Sequence, residues 1–357
     1  MLRTRNAIRC IIPPQVLDRI ARNGSSEQRR RALDTISLDH SLRVARMQNA
    51  FQAAARAAKV DVLGMQAELR ARRTIYDARN GDSFFGNVVR SEGAGPTGNV
   101  AVDEAYDGLG ATYDFYANTF QRDSIDGRGL PLDGVVHFRQ DYDNAFWDGQ
   151  RMIFGDGDGE LFNRFTIALD IIGHELTHGV TEVETGLNYW EQSGALNESI
   201  SDTFGSLVKQ QQLGQKADEA DWLIGAGLLA AGVQGDALRS MKAPGTAYDD
   251  PILGKDEQPG HMNAYVNTFE DNGGVHTNSG IPNRAFYLAA TAIGGYAWET
   301  PGRIWFSALQ DPRVRPTTRF RGFARATLRA AATIYGSGST EQATVATAWE
   351  GVGVNVG

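Results

Sequence analysis

Residues 174–178 read His-Glu-Leu-Thr-His, and Glu198 follows on a later segment. A helix turns once in about 3.6 residues, so His174 and His178 fall on one face, one turn apart. Two imidazoles in that arrangement can share one metal ion, and Glu175 beside them can act as a base on a water that the metal activates. With Glu198 as a third ligand, one coordination position stays open, which separates a catalytic zinc site from a structural one. The stretch therefore predicts a zinc peptidase.

The motif alone is only moderately specific, and its surroundings raise its weight. Residues 166–178 are apolar with a helical period, so they indicate a buried helix for which Gly179 is a plausible C-cap. Two histidines and a glutamate on such a helix are costly unless a metal or a partner satisfies them. A second predicted helix begins near Ser193, a candidate N-cap, and puts Glu198 and Asp202 one turn apart. Asp202 can accept the second N–H of a ligand histidine, although two solvated acids are the alternative interpretation.

Length and composition are typical of a globular chain. The chain has 357 residues, 41% hydrophobic and 22% charged, which is enough for two ordinary domains or one large one. No apolar run reaches the roughly 18 residues of a membrane span, and a net charge of −8 is unlike that of a nucleic-acid binder. The single cysteine, Cys10, excludes an internal disulfide. We expect a monomer with no nucleic-acid partner and no membrane span.

The first part of the chain is a basic leader on an acidic body. Residues 1–46 hold ten arginines against four acids, a net +6, which leaves −14 for the remainder. The opposite charges suggest that the leader docks on its own body, and a solvated basic tail is the alternative. Arg9 and Pro13-Pro14 interrupt residues 7–17, so no continuous apolar core of an ordinary secretory signal forms. We therefore expect a cytoplasmic protein or one released by a non-standard route.

The pattern of elements predicts an α+β fold in three parts. A leader, residues 1–50, precedes a mixed α/β part, residues 51–185, which carries the metal helix and one long helix over 101–120. The last part, residues 186–357, is mainly α-helical, and the metal site lies in the cleft between the two larger parts. From residue 166 onward the predicted helices are 166–179, 194–213, 219–231, 280–295, 301–311, 317–335 and 340–350.

Six motifs occur in order along the larger part of the chain. They are Asn144–Trp147, Gly155–Gly159, His174–His178, Gly194–Asp202, Gly235–Met241 and Asp271–His276. Together they resemble the thermolysin family of zinc metallopeptidases, over roughly residues 70–357. The segment Ile11–Leu17 resembles the compact propeptide of the protealysin branch of that family. The resemblance implies a zinc endopeptidase made as a latent precursor, in which residues 1–50 are a propeptide that acts on its own chain. We expect the processing bond within residues 42–73.

The resemblance also implies catalytic roles. Glu175 would take a proton from water and deliver it to the leaving amine. Tyr189 and His276 would donate hydrogen bonds to the negative oxygen of the tetrahedral intermediate. Asp271 would orient His276, as a carboxylate does for imidazole elsewhere. Without the resemblance, His276 is an ordinary loop histidine and Tyr189 a packed ring.

Substrate-binding positions follow from the same resemblance. Asn144 and the backbone of Ala145 lie on an edge strand that would pair with an extended peptide. Arg239 would hold the peptide carbonyl beyond the cut. The expected pocket residues are Phe162, Ile171 and Leu238. They imply cleavage of peptide or protein substrates on the N-terminal side of bulky hydrophobic residues. Without the resemblance these three are core residues.

One departure from the family concerns calcium. Thermolysin gathers several acids around a pair of calcium ions near the zinc helix. Asp170 and Asp221 remain here, but Lys209, Leu223 and Ala226 stand at matching positions. Calcium binds about six to eight oxygens, so a cation and missing carboxylates argue against the double site. We expect that pair of ions to be lost and leave a single Ca²⁺ open.

Cys10 is the candidate latch of the leader. A thiolate is a strong zinc ligand, and zinc lowers the pKa of a thiol enough to deprotonate it. Cys10 could therefore fill the open coordination position, while Pro13-Pro14 would stiffen the segment against cleavage. The alternative is a buried or idle cysteine in a leader that inhibits by steric blocking alone.

A different class of function fits part of the pattern. The chain could be a zinc-stabilised peptide-binding protein without turnover. The zinc site of such a protein would have a fourth protein ligand and would need no general base. Glu175, Tyr189 and His276 together favour the peptidase.

Overall fold

The computed structural model describes residues 9–56 and 69–357, and only the backbone of residue 9 and of residues 42–56. Most side chains of the expected processing segment, residues 42–73, therefore lie outside the described part of the chain. None of the helices in the described ranges combines the length and apolar character that crossing a membrane requires.

The leader contributes one short strand and two helices: β1 (Arg9–Cys10), α1 (Pro14–Asn23) and α2 (Ser26–Arg56). Proline suits the first position of α1 because its missing N–H would have no helical partner there. The Gly24 N–H bonds to the Ile20 carbonyl at 2.9 Å and closes the helix. The apolar face of α1 is buried through Val16, Leu17 and Ile20. The leader is thus docked by a hydrophobic stripe as well as by charge.

The body begins with a sheet that the leader extends. Its strands are β2 (Arg73–Asp77), β3 (Asn87–Ser91), β4 (Leu132–Val136), β5 (Ala145–Trp147) and β6 (Arg151–Phe154). The six-stranded order is β1-β5-β6-β4-β2-β3. β4 runs parallel to β2 and β6, and the other pairs are antiparallel. The leader strand β1 therefore occupies the edge beside β5.

Three long helices connect the sheet to the rest of the body. They are α3 (Val100–Phe120), α4 (Leu169–Glu184) and α5 (Glu191–Leu213). α3 agrees with the predicted helix over 101–120. A Cβ on Gly205 of α5 would lie 2.3 Å from the Asp170 carbonyl oxygen, and one on Gly173 of α4 would lie 3.0 Å from the Gly205 Cα. Only glycines allow the two backbones to approach this closely, and the contact sets the faces of α4 and α5 against each other.

The last part is mainly helical, as predicted. It holds β7 (Leu223–Ile224), β8 (Arg239–Ser240), β9 (Asp249–Asp250), β10 (Gly254–Lys255), α6 (Asp271–Asn278), α7 (Gly280–Ile293), α8 (Thr300–Leu309), α9 (Phe320–Tyr335) and α10 (Thr340–Gly351). The α+β fold with a helical C-terminal part and a preceding leader is confirmed. The domain bounds 1–50, 51–185 and 186–357 remain predictions.

Three local predictions were wrong. The expected helix over 219–231 is a loop that contains β7, because Gly225 and Gly227 take φ of +76° and +84°. Gly179 does not end α4; a Cβ there would lie 2.4 Å from the Ile125 Cγ2, so this glycine makes room for a neighbour. Ser193 lies inside α5 and donates from its hydroxyl to the Trp190 carbonyl at 2.8 Å.

Candidate active site

The contact between α4 and α5 brings three buried side chains together. His174 Nε2 lies 3.5 Å from Glu198 Oε2, and His178 Nε2 lies 3.5 Å from Glu198 Oε1. The ligand atoms of all three lie within 4.8 Å of one another. Two atoms about 2.1 Å from one tetrahedral centre stand about 3.4 Å apart, so these separations fit a shared zinc.

The bonding of these atoms also fits a cation. Within residues 9–56 and 69–357, His174 Nε2 and Glu198 Oε2 have no hydrogen-bond partner, although both atoms are buried. A buried polar atom left without a partner costs about 1–3 kcal/mol. Two imidazole nitrogens and a carboxylate are ligands that zinc prefers. His174, His178 and Glu198 form the zinc-binding triad of this chain.

Asp202 orients the first of these histidines. Its Oδ1 lies 2.8 Å from His174 Nδ1, which leaves Nε2 for the metal. Arg239 binds both oxygens of Asp202, at 2.9 and 2.8 Å, and Asn283 donates to Oδ2 at 2.8 Å. Burial would raise the pKa of Asp202, but the charge of Arg239 and the bond to His174 hold it well below its usual range. Asp202 therefore stays a carboxylate.

The second histidine is oriented by neutral groups. His178 Nδ1 lies 2.8 Å from Asn197 Oδ1 and 2.9 Å from Ser201 Oγ. Donation from Nδ1 to the Asn197 oxygen fixes the tautomer that presents Nε2 to a metal. Sequence reasoning missed Asn197, Ser201 and Asn283. Asn197 and Ser201 lie inside the motif that supplied Glu198, and that position was the available signal.

Glu175 is held beside the triad by the edge strand. Its Oε2 accepts a hydrogen bond from the Trp147 backbone N–H of β5 at 3.1 Å, and its side chain is fully buried. The contact fixes the carboxylate between the metal helix and the strand along which a peptide would lie. This is the geometry that a base for a nearby water requires.

Tyr189 and His276 meet on the other side of the triad. The Tyr189 hydroxyl donates to Glu198 Oε1 and lies 3.2 Å from His276 Nε2. Asp271 binds His276 twice, at Nδ1 over 2.6 Å and at the backbone N–H over 2.8 Å. Positive φ values at Asn272, Gly273 and Gly274 turn the start of α6 back on itself and bring the Asp271 carboxylate to the ring.

The charge state of His276 follows from its neighbours. Burial lowers its pKa, but the charges of Asp271 and Glu198 and the bond to Asp271 more than offset this and raise the pKa above the usual value. A cation bound to Glu198 would cancel the part of this pKa rise that comes from the Glu198 charge. Both ring nitrogens face oxygens, Asp271 Oδ1 and the Cys10 carbonyl, and both can donate only as imidazolium.

The leader strand lies along β5 in the manner of a peptide. The Ile11 N–H donates to the Ala145 carbonyl at 3.3 Å. The Ile12 N–H donates to Asn144 Oδ1 at 3.1 Å. Asn144 and Ala145 thus make the backbone contacts expected of the edge strand.

Two further contacts hold the carbonyls of this strand. Arg239 Nη1 donates to the Ile11 carbonyl at 3.3 Å, and His276 Nε2 donates to the Cys10 carbonyl at 3.2 Å. The backbone of Cys10 and Ile11 here stands in for that of a substrate.

The expected pocket residues are all buried. Ile171 and Leu238 meet at Gly225, where a Cβ would lie 3.3 Å from the Ile171 Cδ1 and 3.1 Å from the Leu238 Cγ. Phe162 belongs to the same core cluster, and its ring centre lies 6.0 Å from that of Phe165. The structure therefore places two of the three residues side by side.

The proposed contact between Cys10 and the metal is corrected by the strand register. Cys10 pairs with Phe146, and its side chain packs in a separate cluster with Val135, Phe138, Tyr142 and Ile153. Side chains alternate along a strand, so Ile11 faces the main core and Cys10 the opposite side. Among the described residues, the side chains close enough together to bind one metal ion are those of His174, His178 and Glu198, and Cys10 is not among them. The carbonyl of Cys10, not its thiol, enters the site.

Lys209 lies among the acids near the metal helix. Its Nζ is 2.8 Å from Asp170 Oδ2, 3.0 Å from Asp221 Oδ1 and 2.7 Å from the Leu223 carbonyl. Burial lowers the pKa of Lys209, but the charge of Asp170 and its hydrogen bond raise it above the usual value. An ammonium group thus stands among these oxygens, and the calcium requirement remains a prediction.

Three family descriptions match the chain in order. "Protealysin propeptide" matches residues 9–44. "Thermolysin metallopeptidase, catalytic domain" matches residues 34–182, and "Thermolysin metallopeptidase, alpha-helical domain" matches residues 185–354.

Individual proteins agree with these matches. The chain is 55% identical over 346 residues to an extracellular metalloprotease of Pectobacterium carotovorum subsp. carotovorum, covering 97% of this chain and 96% of that one. It is 46% identical over 353 residues to protease PrtS of Photorhabdus sp. (strain Az29), covering 98% and 93%. A solved structure, the precursor of protealysin, a metalloproteinase from Serratia proteamaculans, is similar with a TM-score of 0.87 at 53% identity, covering 97% and 99%.

Proposed function

This chain belongs to the thermolysin family of metallopeptidases, and from that premise we propose that it cuts peptide bonds on the N-terminal side of bulky hydrophobic residues. It is a zinc-dependent metalloprotease with a protealysin-type propeptide. One observation carries the proposal: the buried triad of His174, His178 and Glu198 lies beside Glu175, next to a strand bound as a peptide would be.

The proton transfers are assigned to Glu175. When bound, zinc supplies Lewis acidity, which polarises a carbonyl and makes nearby water more acidic. Glu175 takes the proton of the attacking water and returns it to the leaving nitrogen. Its bond to the Trp147 N–H keeps the carboxylate aimed at this position in both steps.

His276 and Tyr189 are assigned to the negative charge that develops on the carbonyl oxygen. His276 already donates to a carbonyl at this position, the one of Cys10. A donor placed in advance stabilises the developing oxyanion without reorganisation. The Tyr189 hydroxyl, which here donates to Glu198, would turn to the same oxygen. Asp271 positions the ring and favours its protonated form.

The leader strand supports an assignment of the bond that is cut. The carbonyl of the bond that is cut would lie at His276, where the Cys10 carbonyl lies here. The carbonyl of the residue after the cut would lie at Arg239, where the Ile11 carbonyl lies here. A substrate residue in the place of Ile11 would present its side chain to the main core side of the strand. Ile171 and Leu238, which meet at Gly225, favour a bulky apolar side chain there.

Latency follows from the same contacts. While β1 lies along β5, a substrate cannot form the bonds to Ala145, Asn144 and Arg239. Removal of the leader by a cut within residues 42–73 would free them. We propose a monomer without a nucleic-acid partner, and a cytoplasmic location or release by a non-standard route stays a prediction.

A cleavage assay tests the function against its alternative. The processed, zinc-loaded chain is incubated with a quenched peptide that contains one Leu after an otherwise polar stretch, with and without a zinc chelator. Zinc-dependent hydrolysis before the Leu is expected. Zinc-dependent binding of the peptide without hydrolysis would instead support the zinc-stabilised peptide-binding protein.

A further inference from the structure

Asp39, a buried carboxylate of the leader, is bound by the side-chain amide of Asn144, the residue assigned to substrate binding. Asp39 lies on α2 and is 4% exposed. The Tyr142 hydroxyl donates to its Oδ1 at 2.6 Å, and Asn144 Nδ2 donates to its Oδ2 at 2.9 Å. Each donor therefore has its own oxygen of one carboxylate.

The spacing of the two donors favours a carboxylate over a peptide carbonyl. A carboxylate offers two oxygens that can be bound side by side, whereas a carbonyl offers one. The 2.6 Å contact from Tyr142 is the length of an O–H donor on an ionised oxygen. The Tyr142 ring packs edge-on against Phe138 and Phe146, with ring centres 5.4 and 6.3 Å away. Two aromatic rings of the body therefore support the ring that carries this hydroxyl.

The two donors lie beside the path of the substrate. Asn144 uses its other amide atom, Oδ1, to accept the Ile12 N–H. Ile12 stands for the second residue after the cut if Ile11 stands for the first. The side-chain amide of Asn144 therefore bridges the Asp39 carboxylate and the backbone of that second residue.

Two acids flank Tyr142 on its loop: Asp141 lies 3.4 Å from Arg31 of the leader, and Asp143 is buried. Asp143, between Tyr142 and Asn144, turns its Oδ1 to the Asp158 N–H at 2.8 Å. Burial and the charge of Asp158 raise the pKa of Asp143 well above its usual range, which favours the neutral form of its carboxyl.

We propose that removal of the leader leaves Tyr142 and Asn144 as a subsite for a carboxylate of the substrate. The inference rests on the proposed function and extends it to the residues beyond the cut. In the precursor Asp39 stands in for the ligand. In the processed enzyme the ligand is an acidic side chain at the second or third residue after the cut, or the terminal carboxylate of a short peptide.

Matched peptides test the subsite. All carry Leu after the cut. Two pairs have capped ends: one pair carries Glu or Gln at the second residue after the cut, and the other carries Glu or Gln at the third. A last pair ends after the second residue as a free acid or an amide. In at least one pair, kcat/KM of the processed zinc enzyme should be about tenfold higher for the acid, the size of a charged hydrogen bond. Ratios near one in all three pairs would overturn the subsite, while hydrolysis of the Gln peptides would still support the peptidase.

Variants assign the effect to the two donors. Tyr142→Phe keeps the ring and removes the hydroxyl, so the acid-to-amide ratio should fall toward one. Tyr76→Phe is the control, because Tyr76 packs against the same cluster, and the ratio should persist. An undiminished ratio in Tyr142→Phe would overturn the proposal.

A variant of the full precursor tests the same donors without relying on the folding of Tyr142→Phe. Asp39→Asn should release the leader faster than wild type, because an amide cannot offer two acceptor oxygens. Asp34→Asn, at an exposed position of α2, is the control. Equal release for Asp39→Asn and Asp34→Asn would contradict the preference for a carboxylate.

Discussion

Each ligand histidine has its two ring nitrogens in different surroundings. Nδ1 of His174 faces the Asp202 carboxylate, and Nδ1 of His178 faces an amide oxygen, so both Nε2 atoms point to Glu198. An anchored Nδ1 removes the rotational freedom that metal binding would otherwise cost. The charge of the assembly is balanced by Arg239, which neutralises Asp202.

Glu175→Gln tests the base at this scale. The substitution should abolish peptide cleavage and leave about one zinc per chain, because the three ligands are untouched. Activity is measured on a Leu-containing peptide and zinc by atomic emission. His174→Ala is the comparison and should lose both metal and activity. Normal turnover by Glu175→Gln would remove this residue from the mechanism.

His276→Ala tests the oxyanion donor. Its contact strengthens only in the transition state, so kcat should fall on the order of 10²-fold while KM changes little. Steady-state kinetics separate the two constants. A change confined to KM would assign His276 to substrate binding.

The sequence predicted these residues unevenly, for physical reasons. The helical period places His174 and His178 together whatever the rest of the chain does. Asn283 comes from a distant helix, and nothing in its neighbourhood marks it as a partner of Asp202. The metal contact assigned to Cys10 was wrong because strand register decides which face a side chain takes, and a two-residue strand carries no pattern that reveals its register.

At the level of elements, the position of α4 against α5 builds the site. Gly173 and Gly205 let the backbones meet, and Lys209 on α5 binds Asp170 on α4. The long helices were predicted because their apolar period persists over several turns. The segment 219–231 is equally apolar, but its glycines adopt a left-handed backbone to let the Gly225 N–H bind Asp170 Oδ1. Tertiary contacts, not local periodicity, determine that loop.

Lys209→Met tests whether an internal ammonium replaces calcium. Asp170 is buried, so loss of its cation should cost about 3–5 kcal/mol in the free energy of unfolding. Urea unfolding measures it. Lys216→Met, at an exposed lysine, should change stability by less than about 0.5 kcal/mol.

The wild-type chain completes this test. Dialysis against calcium-free buffer that contains zinc should leave its Tm equal to that measured with added calcium. A marked fall in Tm would instead mean that a structural calcium is bound.

In the whole molecule, the leader and the body form one closed unit. β1 extends the sheet at the edge that a substrate would use, and side chains of α1 and α2 form hydrogen bonds with the body. Arg31 on α2 lies 3.4 Å from Asp141, 3.6 Å from Asp158 and 3.3 Å from Glu160, which puts a basic leader against an acidic loop. The opposite charges in the sequence predicted that docking, but they could not give the contacts.

Latency should therefore depend on charge and backbone contacts and not on the thiol. Cys10→Ala keeps the carbonyl that faces His276 and should leave the latent phase of the precursor unchanged. Arg31→Ala removes the contacts to three acids and should shorten it. The time course of activity after dilution of purified precursor measures both. A latent phase shortened by Cys10→Ala alone would restore the thiol as the latch.

The map of cut sites on an unfolded protein tests the central claim most directly. The processed, zinc-loaded chain is incubated with the protein, and new amino termini are read by mass spectrometry beside a chelated sample and the Glu175→Gln variant. We predict new termini dominated by Leu, Ile, Val and Phe, and none in the two controls. Cuts that persist in either control, or termini dominated by charged residues, would contradict the account.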